Sequence, residues 1–447
     1  MEQAVELSQV LAARERRVWR QNALLEQYRQ PLLSFTMNIA GPVKNSPEIR
    51  RGFHLGESLL LGQLEREGAR LLHAEQIDEI TGCEGLYVVA LSPARLKAIA
   101  LDIEEGTELG RLFDMDVLTP AGEKLERGQP RRCLICGGEA KACARSRAHG
   151  VAQLQEKTAL LLRAGIDRDD RQTAASLTVR ALLYELATTP KPGLVDRENS
   201  GSHTDMDFFT FLRSSAALWP YFDACVTIGR ESAAQPAPET FARLRRPGKL
   251  AEADMLRATG GVNTHKGAIF CLGLACGALG RLDRALWRQP ERILAEIAAM
   301  TEGAVAREMA SAGEDAAKTA GLRLYQRHGV TGARGMAEAG YPAVLQHGLP
   351  ILEAGLARGL PLEQAGACAM LHLLAHTDDT NMISRGGLAR QQETTRQLRA
   401  LLGETPFPAP ETIRALDRAY IADHLSPGGS ADLLALCYLL HFLKEAE

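Results

Sequence analysis

Strand-forming texture is confined to the opening third of the chain, and that asymmetry narrows the fold more than any other feature. L-L-S-F-T-M-N-I-A-G-P-V-K (residues 32–44), G-L-Y-V-V-A-L (85–91) and R-L-F-D-M-D-V-L (111–118) are rich in β-formers and bounded by turn residues. Beyond about residue 151, Ala and Leu runs at helical spacing follow one another between Gly and Pro loops, and alternation nearly disappears. A chain of 447 residues exceeds what one core accommodates. The reading is therefore two-domain: an α+β domain over residues 1–165 and an all-α domain over 166–447, with the boundary in the charged run I-D-R-D-D-R.

Local signals fill in this outline. Residues 5–29 read as an exposed amphipathic helix stopped by Pro31, 53–70 as a helix, and 92–105 as a helix with Ser92 as cap and Pro93 in its first turn. A helix over 151–165 is expected to close at Gly165. In the second domain, helices are expected at 173–188, 207–219, 264–282, 290–311, 313–328, 351–375, 389–402 and 411–421. Residues 231–249, with Pro236, Pro238 and Pro247, and residues 403–410 read as surface loops.

Net charge of -3 and a pI near 6.4 argue against a nucleic-acid or membrane-surface protein. The N-terminus lacks a signal pattern and no apolar run approaches membrane length, so the expected location is cytoplasmic. Nine cysteines, an odd number in a long chain, fit reduced thiols.

The densest chemistry lies in P-K-P-G-L-V-D-R-E-N-S-G-S-H-T-D-M-D (190–207), a rigid turn after an apolar helix. Lys191, Arg197 and His203 are candidate phosphate ligands there. Asp205 and Asp207 are candidate Mg²⁺ ligands, with Asp207 also suited to cap the next helix. Asp196, and Glu185 on the preceding apolar helix, are candidate bases; a salt bridge with Arg180 or a capping role competes for Glu185. G-G-V-N-T-H-K-G-A-I-F (260–270) opens a helix with His265 and Lys266 in its first turn, an anion site that lacks a Walker A pattern. Its Gly267, Gly273 and Gly277 are expected to serve helix packing. Arg334, and Asp378, Asp379 and Arg385 in the H-T-D-D-T-N-M-I-S-R-G-G run, again pair phosphate and Mg²⁺ ligands. His372 and His376 on the helix before that run are expected to be packing histidines.

In the first domain, Asp114 and Asp116 sit two apart on an expected strand, so both face one side. Two such carboxylates can hold Mg²⁺ against a triphosphate, as the nucleotidyltransferase superfamily does, so the α+β domain is expected to be nucleotidyltransferase-like. Lys44, Arg50 and Arg51 follow the first strand as candidate phosphate ligands. Residues 127–147 hold six Lys or Arg against the single acid Glu139, which suits pyrophosphate or an acidic partner. Within that run Cys133, Cys136, Cys143 and His149 offer four ligands to Zn²⁺. The spacing after the first pair matches no common finger or ribbon, so reduced structural thiols are the expectation.

Several of these motifs carry a resemblance. R-E-R-R (14–17), S-F-T-M-N-I-A-G-P-V-K, G-R-L-F-D-M-D-V and R-R-C-L-I-C-G with C-A-R-S-R-A-H resemble the apo-citrate lyase phosphoribosyl-dephospho-CoA transferases. P-K-P-G-L-V-D-R with G-S-H-T-D-M-D, G-G-V-N-T-H-K-G-A-I-F, and D-D-T-N with R-G-G resemble the triphosphoribosyl-dephospho-CoA synthase family over residues 170–445. The resemblance implies a fusion. Its second half would displace adenine from ATP with the 2'-hydroxyl of 3'-dephospho-CoA; its first half would transfer the product to a serine of the citrate lyase acyl carrier (gamma) subunit, releasing pyrophosphate. Malonate decarboxylase uses a similar second-half enzyme, which is the nearest alternative. A zinc-stabilised nucleic-acid-binding module is disfavoured, because no aromatics interleave with the basic run.

Overall fold

The computed structural model describes residues 3–307 and 329–446, and the chain divides into two compact units, Met1–Asp169 and Asp170–Glu447. The helix expected at 313–328 lies outside the described residues.

In the first unit a four-stranded antiparallel sheet has the order β2-β3-β1-β4, from β1 (Leu32–Met37), β2 (Arg70–Glu79), β3 (Gly82–Ala90) and β4 (Phe113–Leu118). Helices α2 (Pro47–Arg66) and α3 (Pro93–Gly106) cover one face. Phe35 stacks on Phe53 at 4.5 Å between ring centroids and meets Phe113 edge-on at 5.3 Å. Helix α1 (Leu7–Tyr28) covers the other face through Leu24 and Leu25, which pack on Leu32, Leu86 and Val88. Both Ser-Pro starts work as the residue types require. Ser46 accepts the Ile49 amide at 3.2 Å and Ser92 the Arg95 amide at 3.3 Å, each with proline in the first turn.

Two sequence expectations are corrected here. Strand β2 stands where only the end of a helix was expected; it is a charged, half-exposed edge strand paired with β3 alone. Gly165 does not close a helix, because α5 runs unbroken over Val151–Ala187, through the charged run that was expected to be a linker. A Cβ at Gly165 would lie 2.7 Å from Leu109, so the residue serves a close approach.

The second unit is helical: α6 (Phe208–Ala217), α7 (Trp219–Glu231), α8 (Ala237–Thr259), α9 (Lys266–Arg281), α10 (Pro290–Thr301), α11 (Gly332–Glu338), α12 (Leu349–Ala357), α13 (Leu362–Ala375), α14 (Thr380–Glu404), α15 (Pro410–Ala422) and α16 (Gly428–Glu445). Helices α9 and α16 are buried along most of their length and form the centre of the core. Gly273 admits the Tyr221 hydroxyl, and Gly280 brings the α9 backbone against the Val226 carbonyl of α7. Helix α8 replaces the loop expected at 231–249. Pro236 and Pro238 merely flank its start, while Leu244, Ala251 and Met255 bury one face strongly enough to carry Pro247 inside the helix.

Candidate functional site

Residues 190–207 form a loop clamped from α15. The buried Asp417 accepts the Gly193 amide and the Asn199 side-chain amide, each at 2.9 Å, and Ser202 donates to the Leu425 carbonyl at 2.5 Å. Gly193 has φ +69°, and a Cβ there would lie 2.2 Å from the Leu425 carbonyl oxygen, so only glycine fits. Asp196 completes the clamp. Its carboxylate accepts the amides of Lys191 (3.0 Å), Glu198 (2.7 Å) and Asn199 (3.1 Å), and it lines no part of the cavity described next. Asp196, expected as a candidate base, thus holds the loop's own amides and stands off that cavity.

Beside this loop lies a cavity of about 410 Å³, lined by residues from five segments distant in sequence, including Glu185, Lys191, His203, His265, Asp378 and Asp432. Lys191, only 2% exposed, points its ammonium at Glu185 Oε1, 2.5 Å away. Burial pushes the Glu185 carboxyl up, and the Lys191 charge opposes that shift. The expected alternative partner, Arg180, instead lies over the rings of Tyr184 and Phe442. Helices α9, α14 and α16 all begin at this cavity, with Lys266 and Gly267, Thr380 and Asn381, and Gly428 and Gly429 on its wall. Three helix N-termini converging on one space make a strongly anion-attracting site.

His265 is buried and its Nδ1 lies 2.6 Å from Ser214 Oγ, which accepts from Thr264 at 2.8 Å. Burial, reinforced by the Lys191 charge, lowers its pKa to about 3, so the ring is neutral. The expected anion-site residue is therefore available only as a neutral ring. Nδ1 and Ser214 Oγ share one hydrogen bond, and the buried Nε2 has no protein partner among the described residues. His203 donates through Nε2 toward Ser426 Oγ at 2.8 Å and receives Arg385 at Nδ1 at 3.3 Å; burial and then Arg385 hold its pKa down. Arg385 also donates to the Ser202 and His424 carbonyls.

The acidic candidates separate. Asp378 and Asp205 are exposed on the cavity wall. Asp379 is buried: Oδ1 accepts the amides of Asn381 (2.9 Å) and Met382 (3.2 Å), and Oδ2 accepts the amide (2.8 Å) and hydroxyl (3.0 Å) of Ser430. Four donors fill its acceptor sites, so Asp379, expected among the metal ligands, caps α14 and ties it to α16. Asp207 caps α6 through the Thr210 amide and lies off the cavity, as the capping reading anticipated. Lys266 reaches Glu252 at 3.1 Å, and Arg197 pairs with Glu363 at 2.5 Å outside the cavity. Arg334 lies on α11 against a second cavity, about 440 Å³, with its guanidinium 5.9 Å from the Phe270 ring. His372 and His376 bond to the carbonyls of Pro406 and His372, as packing histidines do.

Sequence reasoning missed Asp432, a half-buried carboxylate on the cavity wall whose pKa is pushed well above the usual range by burial and by the charges of Glu185 and Asp379. A signal for it was Gly267. A Cβ there would fall 1.9 Å from Asp432 Oδ2, so this glycine makes room for a carboxylate where helix packing alone was expected.

In the first unit, β4 alternates as expected: Phe113, Met115 and Val117 are buried, while Asp114 and Asp116 share the opposite face, across from Thr36 and Ser34. Arg131 lies 3.5 Å from Asp114, and Lys124 lies 2.5 Å from Asp116. Glu104, which belongs to no motif, is buried nearby, accepts the Met115 amide at 2.7 Å and pairs with Arg127. The expected cations sit elsewhere: Lys44 donates to the Ile39 carbonyl, Arg50 pairs with Asp78 of the opposite edge strand, and Arg51 pairs with Asp169. Among the described residues no helix is long and apolar enough to cross a membrane.

The second unit thus holds a polar cavity with a buried ion pair and three helix N-termini on its wall, and the first presents paired carboxylates on a sheet. The family described as ATP:dephospho-CoA triphosphoribosyl transferase matches residues 171–447, and that described as apo-citrate lyase phosphoribosyl-dephospho-CoA transferase matches residues 5–164. Protein CitXG of Haemophilus influenzae is 35% identical, covering 97% of this chain and 95% of its own length. Protein CitXG of Leuconostoc mesenteroides subsp. cremoris is 32% identical over 97% of this chain and 96% of its own. The 2-(5''-triphosphoribosyl)-3'-dephosphocoenzyme-A synthase of Pectobacterium atrosepticum is 43% identical over 65% of this chain and 92% of its own. The chain belongs to both families, joined as one bifunctional transferase of citrate lyase prosthetic-group synthesis.

Proposed function

We propose that the cavity of the second unit holds ATP and 3'-dephospho-CoA and joins them with loss of adenine. The 2'-hydroxyl oxygen of 3'-dephospho-CoA bonds to C1 of the ATP ribose, the bond from that carbon to adenine N9 breaks with its electron pair going to the base, the hydroxyl proton passes to a carboxylate, and adenine takes up one proton as it leaves. Asp432 is our choice for that proton: it lies on the cavity wall against the start of α9, and burial with the charges of Glu185 and Asp379 raises its affinity for a proton. Glu185, kept beside Lys191, faces the positive charge that develops on the ribose. The convergence of three helix N-termini supports a triphosphate site there, with Lys266 and Arg385 at its rim and the buried His265 Nε2 as a further polar atom. Asp378 and Asp205, still free to ligate oxygen-seeking cations, fit Mg²⁺; when bound, it would neutralise phosphate charge.

The first unit, on this reading, is nucleotidyltransferase-like in chemistry. The serine hydroxyl of the citrate lyase acyl carrier (gamma) subunit attacks the phosphorus nearest the ribose, and pyrophosphate leaves. Asp114 and Asp116 would hold the Mg²⁺, and the basic 127–147 run would meet pyrophosphate or the acidic carrier. We place both steps in the cytoplasm.

The observation that carries the reading is the convergence of Glu185, Lys191, Asp432 and the three helix ends on one cavity. Full-length protein incubated with ATP, Mg²⁺ and 3'-dephospho-CoA should release adenine and yield the triphosphoribosyl product by mass. Apo acyl carrier protein should then gain mass as pyrophosphate appears. No adenine from the wild-type chain, or undiminished release by a folded Asp432→Asn variant, would overturn the assignment.

A further inference from the structure

Residues 119–150 have almost no core of their own. Cys133 is the single buried residue among them, and α4 (Ala140–Ser146) buries none. Leu125 and Leu134 only lean on the main core. A segment this long with so little buried apolar surface does not offset its own ordering entropy, and small modules of that kind are held by disulfides or metals.

The same segment brings together Cys133, Cys136, Cys143 and His149, whose ligand atoms all lie within 4.8 Å of one another. Each arrives by a definite local device. Arg132 and Glu139 bridge as the stem of a hairpin, closed by the Cys133 amide on the Gly138 carbonyl at 2.6 Å and the Gly137 amide on the Cys133 carbonyl at 3.2 Å. Gly137 takes φ +75° at the tip, and the amides of Ile135 and Cys136 point at the Cys133 sulfur. Helix α4 then returns Cys143 to within 3.5 Å of the Cys136 sulfur. Arg147, at φ +49°, ends that helix and turns the chain so that His149 joins the group. His149 Nε2 is buried and has no hydrogen-bond partner among the described residues.

We propose that these four residues bind one structural Zn²⁺ as a Cys₃His site. Tetrahedral zinc, with Zn–S near 2.3 Å and Zn–N near 2.0 Å, needs ligand atoms about 3.5 to 3.8 Å apart. A spread of at most 4.8 Å reaches that with small side-chain rotations. Four ligands complete the shell and leave no open position for chemistry, so the role is structural. The amides aimed at the Cys133 sulfur supply the outer hydrogen bonds that thiolate ligands need. The unusual spacing after the first pair follows from α4 standing between the second and third ligands.

The site has a consequence for the first unit, which rests on the reading of Asp114 above. The Cys133 carbonyl receives Arg111 at 2.8 Å, and Arg131, at the foot of the hairpin, reaches the Phe113 carbonyl and Asp114. Zinc therefore fixes the position of Arg131 against β4.

The test is metal content of the full-length chain, purified under reducing conditions without chelator. The expected result is one zinc per chain, falling to none in Cys136→Ser, while that variant still releases adenine and so remains folded in the second unit. Replacement of zinc by Co²⁺ in the wild-type chain should give thiolate-to-cobalt charge transfer and tetrahedral ligand-field bands, a readout independent of any variant. Segment 119–150 should become the first site of proteolysis once zinc is removed. Wild-type zinc no higher than in Cys136→Ser would overturn the proposal, as would iron in place of zinc or a Cys136–Cys143 disulfide in the freshly purified chain. If zinc is present but carrier labelling survives its loss, the site stands and the coupling to Asp114 falls.

Discussion

Replacing Lys191 by methionine tests the buried ion pair at the centre of the cavity. The substitution keeps the length of the stem and removes the charge 2.5 Å from Glu185. Both partners are almost wholly buried, so Glu185 is left as an uncompensated carboxylate. Breaking one side of such a pair costs about 3 to 5 kcal/mol, against a total stability of about 5 to 15 kcal/mol. Glu185 can escape by taking a proton. Its folded pKa is already raised by burial against the opposing Lys191 charge, and without that charge it rises further. A carboxyl raised on folding binds more protons in the folded state, so its stability contribution is present below the ordinary glutamate range and is lost as pH rises toward the folded value. The penalty in Lys191→Met should therefore be small near pH 4 to 5 and grow by about 1.4 kcal/mol per pH unit above that. Urea unfolding of the full chain at several pH values reads this directly. The double variant Lys191→Met with Glu185→Leu should recover most of the loss, because replacing both partners by apolar groups is close to neutral. Adenine release should stay absent in both. A pH-independent cost below about 1 kcal/mol, with additive single and double variants, would refute the reasoning.

Three further outcomes follow from the same geometry. Gly267→Ala, whose new methyl would meet Asp432 at 1.9 Å, should lower kcat for adenine release at least tenfold with the fold intact, and a near wild-type rate would place Asp432 outside the chemistry. His265, held at a pKa of about 3, is neutral when folded but charges in the unfolded chain near pH 6.5; it should contribute a fall in stability of about 1.4 kcal/mol per unit as pH drops through that window, and His265→Gln should remove that contribution from the slope. Asp379→Asn should cost about 1 to 2 kcal/mol as a lost cap without changing the Mg²⁺ requirement, whereas Asp378→Asn should raise that requirement; titration of Mg²⁺ in the adenine assay separates the two.

Much of the site was legible because its residues lie in short loops whose composition already names the chemistry. Lys191 and His203 in the 190–207 loop, Glu185 on the helix before it, His265 and Lys266 at the start of α9, and Asp378 and Arg385 at the start of α14 do line one cavity. Which carboxylate does what was not legible, because that depends on donors brought from elsewhere in the chain. Asp379 is held by Ser430, 51 positions away, a contact that no spacing announces. Asp432 hid in the opening turns of an apolar helix, and its only trace was a glycine 165 positions earlier that makes room for it. In the fold, the alternation of β4 was readable because one face is buried. Strand β2 was not, because an exposed, charged edge strand carries little hydrophobic pattern. Helix α8 was hidden by three prolines whose penalty is outweighed by the face that Leu244, Ala251 and Met255 bury.

The central claim is that the triphosphate of ATP sits among the N-termini of α9, α14 and α16. A crystal structure of the full chain with a non-reacting ATP analogue and Mg²⁺ tests it most directly. The account predicts phosphate oxygens at the amides of Gly267, Thr380 and Gly428, with the ribose facing Glu185 and Asp432. Nucleotide bound instead in the second cavity, between Arg245, Lys249 and Phe270, would contradict it.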